Sequence, residues 1–166
     1  MAVDRFEVFV GKEYLKFNAA HFIAYPGFRE RVHGHNYQVT VRIGGDLGPD
    51  GYVVDFGLVK RVTRELCDGL DERLLLPEKS DCLVIRHNGK QIEVTYEDGA
   101  WFSFPKDDVL LLPIVHSSAE ELAQYVAGEL ALRLRQAGAR PWRRFEVSVA
   151  EAAGQSATFV ETGDDA

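Results

Sequence analysis

From His33 to Ile43 every second residue is a histidine or a large apolar side chain: His33, His35, Tyr37, Val39, Val41 and Ile43 share one phase. Asn36, Gln38, Thr40 and Arg42 share the other. Successive side chains leave opposite faces of an extended backbone, so Asn36 to Gly44 is predicted to be a strand with one face in a core. Both histidines are in phase with that core face, and Gly34 between them permits close approach of another backbone. Tyr14 to Ala20 has the same period, with Leu15, Phe17, Ala19 and His21 on one face. Antiparallel pairing of the two segments would gather three imidazoles in one buried place. Three histidines with one position left open to water or substrate are a usual arrangement for catalytic zinc. Imidazoles also suit iron and copper. Taken by residue type alone, the spacing equally fits histidines that satisfy strand-end hydrogen bonds, with His21 in a loop.

Further strands and helices surround this pair. Phe6, Val8 and Val10 alternate as a strand, and Gly44-Gly45 with Gly48-Pro49-Asp50-Gly51 break the sheet. After Asp55, the residues Leu58, Val59, Val62, Leu66, Cys67 and Leu70 recur at helical spacing, and Asp71 to Pro77 ends that helix. A second helix is predicted from Ser118, which has capping-box spacing to Glu121, through Leu122, Val126, Leu130 and Leu134 to Gly138 and Pro141. Between the helices, Leu83 to Ile85, Gln91 to Val94 and Trp101 to Phe104 are separated by the turns Asn88-Gly89 and Asp98-Gly99. They predict a small β-meander inserted at about 81–112, either structural trim or a wall over a pocket. Phe145 to Ala150 and Thr158 to Val160, joined at Ala153-Gly154, form a last pair of strands. The order predicts a single α+β domain over 1–166.

Composition narrows the function classes. A chain of 166 residues with 46% hydrophobic content can fill one real core. The 26 acidic and 19 basic side chains leave a net charge of -7, which offers no footprint for nucleic acid and suits a small-molecule substrate. Cys67 and Cys82 have no zinc-finger or redox spacing and are too few to staple a small secreted fold. The opening MAVDRFEVFVG lacks the pattern of a signal peptide, and no stretch is long enough to span a membrane. The expectation is a cytoplasmic protein with neither nucleic acid nor membrane as partner.

Several segments, in order, make the chain resemble the 6-pyruvoyl-tetrahydropterin synthase and 6-carboxy-tetrahydropterin synthase family. They are FNAAHF at 17–22, VHGHNYQVTV at 32–41, GYVVDFGLVK at 51–60, LDERLL at 70–75, SSAEELA at 117–123 and FEVSVAE at 145–151. The resemblance covers most of the chain outside the meander. It implies a tunnelling fold, a four-stranded antiparallel sheet with two helices on one side. It also implies a homo-oligomer, a trimer or dimer of trimers, with active sites between subunits. By the same resemblance His21, His33 and His35 match zinc ligands, and Glu151 matches the residue that anchors a pterin ring. A carboxylate suits that task because it accepts two parallel hydrogen bonds from a guanidine-like edge. Ser118 matches a family threonine near the pterin, while a helix cap alone also explains its hydroxyl. Glu120 fits the family pattern, yet the helix dipole is a sufficient reason for an acid there. Asp55 is read first as a helix cap.

The proton-transfer residues depart from the family. Its usual members have Cys four residues before the first His of HGH, where this chain has Arg29 followed by Glu30. They have Asp-His where this chain has Asp71-Glu72, and neither Cys67 nor Cys82 stands in a matching place. Some relatives place Glu in the same loop, which makes Glu30 the expected base; its alternative is a loop carboxylate paired with Arg29 or Arg31. Asp71 would orient a second group. Glu72 would carry a proton in place of the missing His or stand as a helix-end charge. His116 would restore acid-base capacity or merely flank the helix. Arg29 would grip a substrate carboxylate or phosphate, and His87 is expected to be exposed. The expected activity is that of a zinc-dependent carbon-oxygen or carbon-carbon lyase acting on 7,8-dihydroneopterin triphosphate or a related pterin-like heterocycle. The alternative is a zinc-containing protein that binds a pterin or purine-like ligand without lyase activity.

Overall fold

A computed structural model describes residues 5–163; the first four residues of the N-terminal stretch read above lie outside that range. In chain order the strands and helices are β1 (Phe6–Val10), β2 (Lys16–His21), β3 (Ala24–Tyr25), β4 (Phe28–Arg29), β5 (His33–Gly45) and α1 (Phe56–Leu70). There follow β6 (Arg73–Pro77), β7 (Val84–Asn88), β8 (Gln91–Thr95), β9 (Trp101–Pro105), β10 (Val109–Leu112), α2 (Ala119–Gln136), β11 (Arg144–Ala152) and β12 (Gln155–Thr162). The class is α+β, as expected.

β5 organises the main sheet. Its 13 residues are long enough to pair with β2 at one end and β1 at the other, while β11 runs along the opposite edge. The expected four-stranded antiparallel unit is β2-β5-β11-β12, but the whole sheet has seven strands in the order β10-β6-β2-β5-β11-β12, with β1 also on β5. The addition comes from β6, parallel to β2, and β10, parallel to β6. Both were missed because Leu74-Leu75-Leu76 and Val109 to Leu112 are continuous apolar runs, and a strand covered on both faces shows no alternation. Leu74, Leu75 and Leu76 are all buried.

One face of the sheet carries both helices. Phe17, Tyr37, Val39, Phe145, Val147 and Val149 are fully buried against Val59 and Leu70 of α1 and Leu122, Val126, Leu130 and Leu134 of α2. Asp55 caps α1 by accepting the Gly57 N–H at 2.7 Å, and Ser118 caps α2 by accepting the Glu121 N–H at 3.3 Å. Glu121 reaches back beyond the cap, accepting the Val115 N–H at 2.7 Å and the His116 N–H at 3.1 Å.

The meander is a separate antiparallel sheet, β7-β8-β9, that closes a second apolar cluster with Phe22, Ala24, Leu74 and Leu76. A hairpin missed in the sequence, β3-β4, lies between His21 and His33. Its turn is Tyr25-Pro26-Gly27-Phe28, with Gly27 at φ 87°, the Pro-Gly pattern of a type II turn. The strand predicted from Asn36 begins earlier, at His33. His33 and His35 belong to β5 itself because β2 pairs with that end.

Candidate functional site

The β2–β5 register sets His21 opposite His33 and Ala19 opposite His35, so the three imidazoles share one face. Ring centroids lie 4.6 Å (His21–His33), 5.1 Å (His21–His35) and 4.9 Å (His33–His35) apart. One ligand nitrogen from each gathers within 4.8 Å of the others. Gly34 suits this close approach: a Cβ would come 3.1 Å from the Ala19 carbonyl oxygen.

The hydrogen bonds choose the tautomers. His21 Nδ1 lies 2.7 Å from the Ser117 carbonyl oxygen, and His33 Nδ1 lies 2.8 Å from that of Arg31. A carbonyl only accepts, so each Nδ1 carries a proton, and in the neutral ring Nε2 then presents the lone pair. His21 is 1% exposed, and its Nε2 has no partner. Burial lowers its pKa, against the opposing pull of the Ser117 carbonyl and with help from neighbouring His33, so the ring is neutral. A buried lone pair without a donor, beside two further imidazoles, fits a divalent cation, and the all-nitrogen set fits zinc.

Two carboxylates act electrostatically on this part of the sheet. Glu151 is the residue at the register shift between Ala150 and Ala152 in β11, a bulge of the kind that re-aims a side chain. Its charge acts on both His21 and Tyr37. Glu30 follows β4, and its Oε2 accepts the Ile23 N–H at 2.9 Å, two residues after His21. Its charge too acts on Tyr37. The Arg29 guanidinium does not hold this carboxylate. It donates to the Glu30 carbonyl at 3.0 Å, lies 5.3 Å from the Phe102 ring centre, and sits 3.7 Å from Asp98. Arg29 therefore faces the meander.

Asp71 and Glu72 are not among the groups gathered with the three nitrogens. Asp71 Oδ1 accepts from the Asn18 backbone at 2.6 Å and its side chain at 3.2 Å. Glu72, a non-glycine residue at φ 56°, lines a cavity of about 480 Å³ with Asn18, Gly34, His35, Asn36 and Phe104. His116 lies next to the residue that orients His21, and its Nδ1 is 2.9 Å from Glu121 Oε1. Ser117 Oγ donates to the Phe22 carbonyl at 3.0 Å, pinning the start of α2 to the end of β2. The Ser118 hydroxyl is the α2 cap. Glu120 and His87 are exposed. Cys67 is buried, its thiol pushed up to about 12 by desolvation, and Cys82 lies beside Ser80; neither joins the site. Sequence reading did not assign Tyr37, Ser117 or Ile23 to the site. Of these only Tyr37 left a signal, its phase with His35.

Residues 11–162 match the 6-pyruvoyl tetrahydropterin synthase family. A Methanocaldococcus jannaschii protein provisionally named 6-carboxy-5,6,7,8-tetrahydropterin synthase is 36% identical over 146 residues, 87% of this chain and 89% of that protein. The crystal structure of Plasmodium vivax 6-pyruvoyl tetrahydropterin synthase has a TM-score of 0.89 at 40% identity, covering 94% of this chain and 97% of that one. The Plasmodium falciparum enzyme has a TM-score of 0.91 at 38% identity, covering 96% and 99%. Two further Plasmodium vivax structures replace a glutamate described as a catalytic residue by alanine or by cysteine. With the matched span running through both helices and the whole main sheet except β1, the chain belongs to the 6-pyruvoyl tetrahydropterin synthase family.

Proposed function

We propose that this protein is a zinc-dependent lyase that acts on 7,8-dihydroneopterin triphosphate or a related pterin-like heterocycle. The observation that carries this reading is the partnerless Nε2 of buried His21 within a three-imidazole cluster. Zinc held by His21, His33 and His35 would supply Lewis acidity toward the side-chain oxygens of the ligand. Glu151 accepts the ring's paired N–H donors and fixes its orientation. Glu30 removes the side-chain proton: one of its oxygens is tied to Ile23, which leaves the other to accept. The catalytic glutamate of the Plasmodium vivax enzyme supports a carboxylate in that role. His116, oriented by Glu121, returns a proton, and Ser118 adds a hydroxyl near the ring. Triphosphate elimination and carbon-carbon cleavage both follow from such a base, and the replaced relay gives cleavage equal standing.

The same proposal includes a cytoplasmic homo-oligomer, a trimer or dimer of trimers. Among the described residues the sheet ends on β10 and β12, each paired on one side, so another subunit can continue it. Asp71, which bonds Asn18 in one chain, would serve a neighbouring subunit's site, while Glu72 would act from the cavity it lines with His35. The test is to incubate zinc-loaded protein with 7,8-dihydroneopterin triphosphate and with 7,8-dihydroneopterin and resolve the products by mass. A product from either supports a lyase. Tight binding without product from either points to the binding-only alternative.

A further inference from the structure

Glu30 follows a hairpin too small to hold itself. β3 and β4 have two residues each, and of these four only Ala24 is buried. The Tyr25 and Phe28 rings stack on each other at 5.0 Å, and both are exposed. A two-stranded hairpin on its own is marginal in water.

The inserted meander supplies what the hairpin lacks. Its β8–β9 turn is closed on itself: the Tyr96 N–H donates to the Ala100 carbonyl at 3.0 Å, the Gly99 N–H to the Tyr96 carbonyl at 3.0 Å, and Asp98 accepts the Ala100 N–H at 2.7 Å. Tyr96 is rooted in the second apolar cluster. Its hydroxyl shares one proton between the Tyr25 carbonyl at 3.0 Å and Glu97 Oε1 at 2.9 Å, and that Glu97 oxygen also accepts the Gly27 N–H at 2.6 Å. Asp98 stands 3.7 Å from the Arg29 guanidinium, which lies 5.3 Å from the Phe102 ring centre and donates to the Glu30 carbonyl at 3.0 Å. Successive residues of one turn therefore reach Tyr25, Gly27 and Arg29 in order. These bonds converge on the segment that carries Glu30, whose carboxylate the Ile23 N–H holds from the other side at 2.9 Å.

We propose that the inserted meander positions the Glu30 carboxylate, with Tyr96, Glu97 and Arg29 as positioning residues that affect turnover only through Glu30. This rests on the reading of Glu30 as the base. Such a role is sensitive to small movements, because a misplacement of about 1 Å costs on the order of 10²-fold in rate.

The test is Tyr96→Phe, which keeps the buried ring and removes the hydroxyl, made in the natural protein and in Glu30→Gln. Turnover of 7,8-dihydroneopterin triphosphate and of 7,8-dihydroneopterin is measured on zinc-loaded protein, and amide hydrogen exchange at Ile23 and Glu30 is followed without ligand. The proposal predicts kcat lower by roughly tenfold in the natural background, with KM and zinc content unchanged and faster exchange at both amides. Added to Glu30→Gln, the same change should cost no further kcat, the mark of two residues acting as one unit. An equal loss in both backgrounds, a changed KM or zinc content, or unaltered kcat or exchange overturns the part given to the meander. If Glu30→Gln turns over as fast as the natural protein, or the natural protein turns over neither compound, the base reading itself fails and this inference falls with it.

Discussion

Glu30 is bound to Ile23 twice: its Oε2 accepts the Ile23 N–H at 2.9 Å, and its own N–H donates to the Ile23 carbonyl at 2.9 Å. The pair closes the β3-β4 hairpin at its base and fixes the carboxylate two residues from His21. Glu30→Gln keeps an oxygen able to accept from Ile23, so fold and zinc content should persist. Turnover should fall by about 10²–10⁴, the range of general acid-base catalysis. Steady-state kinetics beside metal analysis would check this, and undiminished turnover would remove Glu30 from the base role.

Arg29 joins this hairpin to the meander through Phe102, Asp98 and the Glu30 carbonyl. Two further bonds do the same: the Tyr96 hydroxyl donates to the Tyr25 carbonyl at 3.0 Å, and Glu97 accepts the Gly27 N–H at 2.6 Å. Arg29→Met should cost about 1 kcal/mol, lowering the unfolding temperature by roughly 2–4 °C. Lysine should restore little, because it lacks the planar group that stacks on Phe102. Calorimetry of the two variants decides between a brace and a free surface charge.

Gly34→Ala would set a methyl group 3.1 Å from the Ala19 carbonyl, part of the backbone pairing that holds His33 and His35 against His21. Relief requires β2 and β5 to separate where the histidines meet. The expected result is a destabilisation of about 1–3 kcal/mol together with weaker zinc binding. Retention of both would show that the strands can yield there without disturbing the cluster.

Glu121 gives a pH dependence with a definite sign. Burial pushes its pKa up, but the N–H groups of His116 and Val115 and the His116 ring outweigh that and hold it below the usual 4.5. A carboxylate depressed in the folded state contributes its full stability above the unfolded value and loses it as pH falls through the folded value. Glu121→Ala should therefore cost about 1–2 kcal/mol near neutrality. The gap between the two proteins should narrow as pH drops below 4.5. Chemical denaturation at pH 7 and at pH 3 would measure it, and a gap independent of pH would contradict the assignment.

The legible parts of this chain were those with local periodicity. Alternation through Tyr37, Val39, Val41 and Ile43 placed β5 and its buried face, and helical spacing placed α1 and α2. β6 and β10 escaped because a strand covered on both sides has no polar phase to mark it. The β3-β4 hairpin escaped because its strands have two residues each, too few to show a period. At the site, the histidines were legible because cross-strand pairing follows from phase. The Ser117 carbonyl was not, since a backbone acceptor 96 residues from His21 leaves no trace in residue type. Asp71 was read as part of a relay, yet in one chain its carboxylate is spent on Asn18, a long-range bond that spacing does not reveal.

The metal bound to freshly purified protein, assayed together with turnover before and after chelation, tests the central claim most directly. The account predicts about one zinc per chain, activity lost with the metal, and activity restored when zinc is returned. A stable, zinc-free protein that still turns over its substrate would contradict it.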